Sequence, residues 1–264
     1  MSVNIHETAI VDKSAKIADG VTIGAFSMIG ADVEIGLGCN IHSHVKIEGH
    51  TKIGENNEVC SYSFIGAPPQ DLSYKNEPTK TLIGHNNIFR EYVSIHRGTI
   101  KDKKETVIGN DNLLMSYVHV GHDVQFGNNC IVANSTNFAG HVHVGDKVII
   151  GGGCNISQFV TLGRGSYLGG ASAVDRDVPL FCTAYGNRVR LKGINIIGLR
   201  RSGLSKQVIS EVVDFYRLME SNPMSARSFV DNSELMNDFS NNEIVCEMAG
   251  QIRESKVGLA PFMS

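Results

Sequence analysis

Ten histidines are spread over 264 residues, and five of them, His96, His119, His122, His141 and His143, gather between positions 96 and 143. Imidazole is the side chain that titrates nearest neutrality, so a cluster of this kind suits general-base chemistry or, with neutral rings, metal ligation. The six cysteines, at 39, 60, 130, 154, 182 and 246, form no C-x-x-C pair and no zinc-finger spacing. That argues against a ribbon-type metal site and implies no disulfide framework. A single surface histidine is seldom catalytic, so the question is where the chain sets these rings.

The elements that position them announce themselves as a period of six. Val11, Ile17, Ile23, Ile29, Ile35, Ile41, Ile47, Ile53, Val59 and Ile65 are evenly spaced, and Ile5 extends the series backwards. It returns as Ile83, Phe89 and Ile95, then runs from Ile108 to Val174. A fixed short period predicts a mainly β fold, a parallel β-solenoid. Each aliphatic points inward, and so does the small residue four places on, where Cys39, Cys130 and Cys154 serve as interior fillers. Gly24, Gly30, Gly36, Gly121, Gly127, Gly145 and Gly163, one place after the aliphatic, are read as relaxing tight corners. One hexad makes one face, three faces close a triangular coil of 18 residues, and coils stack about 4.8 Å apart.

That coil is a ruler. His122, Gly140 and Gln158 hold the third place of their hexads and share a column, with Asp123, His141 and Phe159 in the next. A candidate general base therefore stands one coil from a glycine N–H that nothing shields from a substrate oxygen.

Two stretches break the period, Gly66 to Leu82 and His96 to Val107, and both read as loops. Beyond Asp175 the repeat fades. Apolar residues at helical spacing follow Ser205 to Met219, with further helices expected over Ser225–Phe239 and Asn242–Arg253. The expected organisation is a β-helix over 1–187 with loops at 66–82 and 96–107, then a helical domain over 188–264 that covers the open end of the prism. Lys and Arg total 24 against 27 Asp and Glu, which excludes the basic surplus of a dedicated nucleic-acid binder. No apolar run nears the ~20 residues of a membrane span, and Met1 to Asn4 opens directly onto the repeat. A cytoplasmic protein with no stable membrane insertion is expected.

The stretches IGAPPQDLSY (65–74), SIHRGT (94–99), DNLLMSYVHVGHD (111–123), FAGHVHVGD (138–146), SQF (157–159) and GINIIGLRRSGLS (193–205) occur in this order on a hexapeptide solenoid. Taken together, they make the chain resemble, over nearly its whole length, the UDP-N-acetylglucosamine O-acyltransferases that begin lipid A synthesis. The resemblance implies a left-handed β-helix, against the usual crossover hand, and a homotrimer with sites between parallel prisms. It implies transfer of a 3-hydroxyacyl chain from acyl carrier protein to the 3-hydroxyl of UDP-N-acetylglucosamine, with no cofactor and no covalent acyl-enzyme. His122 would be the general base, Asp123 its orienting carboxylate and Gly140 N–H the oxyanion donor. Gln70, Asp71, His96, His119, His141 and Gln158 would line the nucleotide-sugar site, and Asn195, Arg200 and Arg201 would reach ligand or carrier from a neighbouring subunit. Gly170 would leave room for a longer acyl chain. In two places the chain departs from the family: Ser73 stands where a lysine is common, with Lys75 the expected stand-in for a phosphate contact, and Ser157 stands where a histidine is frequent.

Three other classes compete. The zinc carbonic anhydrases built on this solenoid use three histidines, for which His119, His122 and His141 are the candidates, but that leaves the QDL, HRGT and GLRR segments without a task. The sibling N-acyltransferase carries a further domain ahead of its repeats, whereas here they begin at Ile5. A non-enzymatic scaffold would show a regular exposed array such as threonine columns, and none is visible.

Overall fold

In the computed structural model, which describes residues 2–263, the hexads close into three sheets of 11, 9 and 8 strands. Up to residue 174 each sheet takes every third strand in chain order, so one step across a sheet is one coil. Ile5 pairs with Ile23, Ile23 with Ile41 and Val132 with Ile150. Most strands are two residues long, one side chain outward and one inward, and the inward set stacks into a continuous core. Along the first sheet Ile23, Ile41, Val59, Phe89, Leu114, Val132, Ile150 and Leu168 are 1% exposed or less. Burying each such side chain contributes about 1.5–3 kcal/mol, and the strictness of the period follows, since a slip by one residue would turn a whole face outward. Cys39, Cys130 and Cys154 lie inside as expected, each thiol against a backbone carbonyl of the next coil.

The glycines have a different reason from the one expected. A Cβ on Gly121 would stand 2.8 Å from Phe138 O, and one on Gly36 2.7 Å from the Gly54 carbonyl carbon, so the next coil leaves no space for a side chain. The left-handed backbone falls two places later, on residues such as Asp123 (φ 60) and His141 (φ 62). Those side chains are thereby thrown out along the edges of the prism.

Both interruptions are shorter than the lost period suggested. Ile53 pairs with Ile83 and Ile83 with Ile108, 12 and 7 residues beyond the 18-residue step seen elsewhere. Lys80–Ile83 and Glu105–Ile108 are strands, so the expected loops at 66–82 and 96–107 reach too far. The cause is polar filling: Thr81 and Thr106 occupy inward places fully buried, while Lys80 and Glu105 face outward. The aliphatics are in place at Ile83 and Ile108, but each strand begins three residues ahead of its aliphatic.

The first sheet also runs past the expected junction at 187. Cys182–Tyr185 extends it in parallel, and Arg190–Ile194 returns antiparallel with Leu191 buried between outward Arg190 and Lys192. Five helices follow: α1 (Ile196–Arg201), α2 (Lys206–Ser221), α3 (Ala226–Val230), α4 (Ser233–Asn237) and α5 (Glu243–Glu254). Ser205, Ser225 and Asn242 cap α2, α3 and α5. The single helix expected over 225–239 is two, because the Asn232 side chain accepts from Glu234 N and Leu235 N and starts a new helix. Gln251 of α5 seals the prism end, accepting from Leu180 N (2.9 Å) and donating to Val178 O (3.1 Å).

Candidate active site

His122 lies between the strand His119–Val120 of the second sheet and Gln125–Phe126 of the third, on the edge those sheets share. Gly140 stands one coil on and Gln158 two, as the 18-residue ruler requires. His141 N donates to His122 O at 3.0 Å. A Cβ on Gly140 would lie 2.4 Å from His122 Cε1, so the imidazole lies against the glycine and only glycine admits it. Among the described residues the Gly140 N–H has no partner. At the same hexad place on another edge, Asn110 N donates to Asn128 Oδ1 and Asn128 N to Asp146 Oδ1. Gln158, one coil on from Gly140, makes no such bond and is exposed, which leaves a free donor next to an imidazole.

Asp123 is fully buried and held from three sides. Its Oδ2 accepts from His122 Nδ1 (2.9 Å) and Thr99 Oγ1 (2.7 Å), and its Oδ1 from Thr99 N (2.8 Å). Burial pushes this carboxyl up, but the hydrogen bonds from His122 and Thr99 outweigh it and hold the group below its ordinary value, ionised at neutral pH. With Nδ1–H given to Asp123, His122 presents Nε2 as a lone pair. A base, its orienting carboxylate and an unused N–H thus meet at one corner.

His141 stacks on Phe159 (4.7 Å, 10°) and meets His122 edge-on (5.1 Å). One coil below, His119 accepts from or donates to Ser94 Oγ (2.8 Å), and His96 Nδ1 donates to Pro68 O (2.6 Å). Burial, then the neighbouring His96 and His122, push His119 down to about 4, and burial lowers His96, so both rings are neutral hydrogen-bonding groups at neutral pH. His119 and Gln70 line a groove of about 540 Å³ along the second sheet, beside Ala139 and Ser157.

Asp71 accepts from Ser73 N and Oγ (both 2.8 Å) and pairs with Lys101 Nζ at 2.6 Å. Lys75 is the expected stand-in for the phosphate contact of the lysine missing at Ser73, and its backbone N–H donates to Glu77 Oε2 at 2.7 Å. The cation beside Asp71 comes from the second insertion, and coil arithmetic could not find it because an insertion has no register. The same holds for Thr99 and Asp102, which the sequence left unassigned.

Four expected residues lie elsewhere in the chain. Gly170 is exposed on the edge between the first and second sheets. Asn195 caps α1 through Gly198 N (2.9 Å) and donates to Gly165 O (2.9 Å), which occupies both ends of its amide. Arg200 and Arg201, in the last turn of α1, are exposed.

Stacked hexads carrying a His–Asp pair and a free N–H on an outer edge define a hexapeptide-repeat transferase, and the profile of bacterial transferase hexapeptides matches residues 14–49 and 105–140. The profile described as UDP N-acetylglucosamine O-acyltransferase, domain 2, matches 177–260. The acyl-[acyl-carrier-protein]–UDP-N-acetylglucosamine O-acyltransferase of Saccharophagus degradans is 46% identical over 97% of this chain and 98% of its own. Its namesake in Syntrophobacter fumaroxidans is 46% identical over 86% and 88%. A crystal structure of a UDP-N-acetylglucosamine acyltransferase superposes with a TM-score of 0.95 at 39% identity, covering 99% of this chain and 100% of that one. The Acinetobacter baumannii structure gives 0.93 at 41%, covering 97% and 99%. The chain belongs to the acyl-[acyl-carrier-protein]–UDP-N-acetylglucosamine O-acyltransferases, and the superposition gives its β-helix their left hand.

The zinc reading is not favoured, because these matches over nearly the whole chain are acyltransferases.

Proposed function

We propose that this enzyme moves a 3-hydroxyacyl chain from acyl carrier protein to the 3-hydroxyl of UDP-N-acetylglucosamine, the first step of lipid A synthesis, by direct attack at the His122 corner. The observation that carries the reading is the imidazole of His122, tied at Nδ1 to buried Asp123 and lying against Gly140. Nε2 takes the proton of the sugar hydroxyl as its oxygen adds to the thioester carbonyl. The carbonyl oxygen becomes an oxyanion that accepts from Gly140 N–H. Collapse of the tetrahedral intermediate breaks the C–S bond. The His122 imidazolium returns its proton to the departing thiolate, which leaves the sugar ester and the free carrier thiol. Asp123 stays ionised and supports the transient positive charge.

Neutral His96 and His119, with Gln70, Asp71, His141 and Gln158, line the acceptor side. Asn195, Arg200, Arg201 and Gly170 lie away from the corner within one chain, which favours a homotrimer in which a neighbour supplies them. In that assembly the exposed arginines of α1 suit an acidic carrier. No described helix is long and apolar enough to cross a membrane, and a cytoplasmic enzyme drawing on soluble carrier protein fits that. In an assay with 3-hydroxyacyl carrier protein and UDP-N-acetylglucosamine, His122→Ala should lower kcat by about 10²–10⁴-fold. Wild-type turnover in that variant would overturn the mechanism.

A further inference from the structure

The second insertion touches the catalytic corner at three points. Thr99 binds Asp123, Lys101 binds Asp71, and Asp102 Oδ2 lies 3.2 Å from His141 Nδ1. The first two contacts hold carboxylates. The third holds an imidazole that the rest of the fold leaves undecided. His141 is 9% exposed, sandwiched between Phe159 and the edge of His122. Stacking fixes the plane of a ring but not which way round it lies, since turning χ2 by 180° keeps both contacts while exchanging nitrogen for carbon. The other candidate anchor, Asp123 Oδ2, is 3.8 Å from His141 Nε2, too far for a hydrogen bond, and is already committed to His122 and Thr99. Among the described residues the only carboxylate within hydrogen-bond reach is Asp102.

We infer that Asp102 is a positioning residue that locks the ring flip of His141, so that Nδ1 faces the insertion and Nε2 faces the corner where the acceptor sugar is held. This rests on the function proposed above and adds to it. His141 is useful to the sugar only if a nitrogen, not a carbon, faces the corner, and a carboxylate carried by a short insertion makes that choice. Asp102 itself remains at the rim, with its side chain 35% exposed, and acts through His141.

The test uses the full-length enzyme. Asp102→Ala should raise the KM for UDP-N-acetylglucosamine about tenfold, with kcat within about twofold and an unchanged melting temperature, as loss of one orienting hydrogen bond predicts. Asp102→Asn, whose amide oxygen still accepts from Nδ1–H, and Asp102→Glu should recover most of the loss. Ring ¹⁵N spectra of histidine-labelled protein, with His141 assigned through His141→Gln, should show His141 in one hydrogen-bonded form in the wild type and altered in Asp102→Ala. Unchanged KM with unmoved His141 signals would overturn the inference. So would a KM rise that Asn and Glu fail to rescue and that tracks a fall in melting temperature. If the wild type transfers no acyl group to this acceptor, the functional reading fails, and the ¹⁵N spectra still decide the role of Asp102.

Discussion

Gly140 does two jobs that pull on the same atoms. Its N–H is left unpaired at the corner, and its missing side chain gives His122 a place to lie. Gly140→Ala keeps the N–H but puts a methyl group 2.4 Å from His122 Cε1, so the ring must move while the donor stays. Misplacement of about 1 Å at a reacting group costs about 100-fold. Gly140→Ala should therefore lose kcat by about that factor with the fold intact by circular dichroism, and a loss in KM alone would place the glycine in binding instead. Asp123 is kept charged by the same logic in reverse, since burial pushes its carboxyl up while the hydrogen bonds from His122 and Thr99 bring it below its ordinary value.

At the scale of elements, each coil supplies the corner with one residue per column and the second insertion supplies what the coils cannot. Thr99 gives Asp123 two of its three side-chain hydrogen bonds, one from the hydroxyl and one from its backbone N–H. Thr99→Val removes the hydroxyl bond to a buried carboxylate and should cost about 1.5–3 kcal/mol. Urea unfolding at fixed protein concentration measures it, and a change below about 0.5 kcal/mol would mean that water replaces the hydroxyl. The helical segment is joined to the prism by hydrogen bonds and by packing. Gln251 satisfies Leu180 N and Val178 O at the last open strand, and the apolar faces of α2 and α5 continue the core.

For the whole molecule, one chain holds a complete base, carboxylate and donor but leaves Gly170, Arg200 and Arg201 on other edges. The proposed trimer makes this a prediction about mixing. His122→Ala and Arg201→Ala subunits, each inactive alone, should give active heterotrimers when co-expressed with separate tags, with about a third of the sites restored if a site draws His122 from one subunit and Arg201 from the next. Heterotrimers without activity would put both residues in one subunit's site, and an active Arg201→Ala parent would put Arg201 outside it.

The sequence by itself determined the solenoid, the 18-residue coil and the columns of His122 and Asp123, because a repeat turns chain position into spatial position by a constant step. Cys39, Cys130 and Cys154 were legible as interior fillers for the same reason. The start of α2 behind Ser205 was legible because a cap is a local contact. Only the tertiary structure decided the rest. Thr81 and Thr106 fill inward places ahead of Ile83 and Ile108 with polar side chains, so the insertions looked longer than they are. The glycines after the aliphatics answer to the coil above them and not to their own backbone angle. Thr99, Lys101 and Asp102 sit in an insertion with no register, so nothing along the chain says which corner they reach; the folded loop does, by placing them on Asp123, Asp71 and His141.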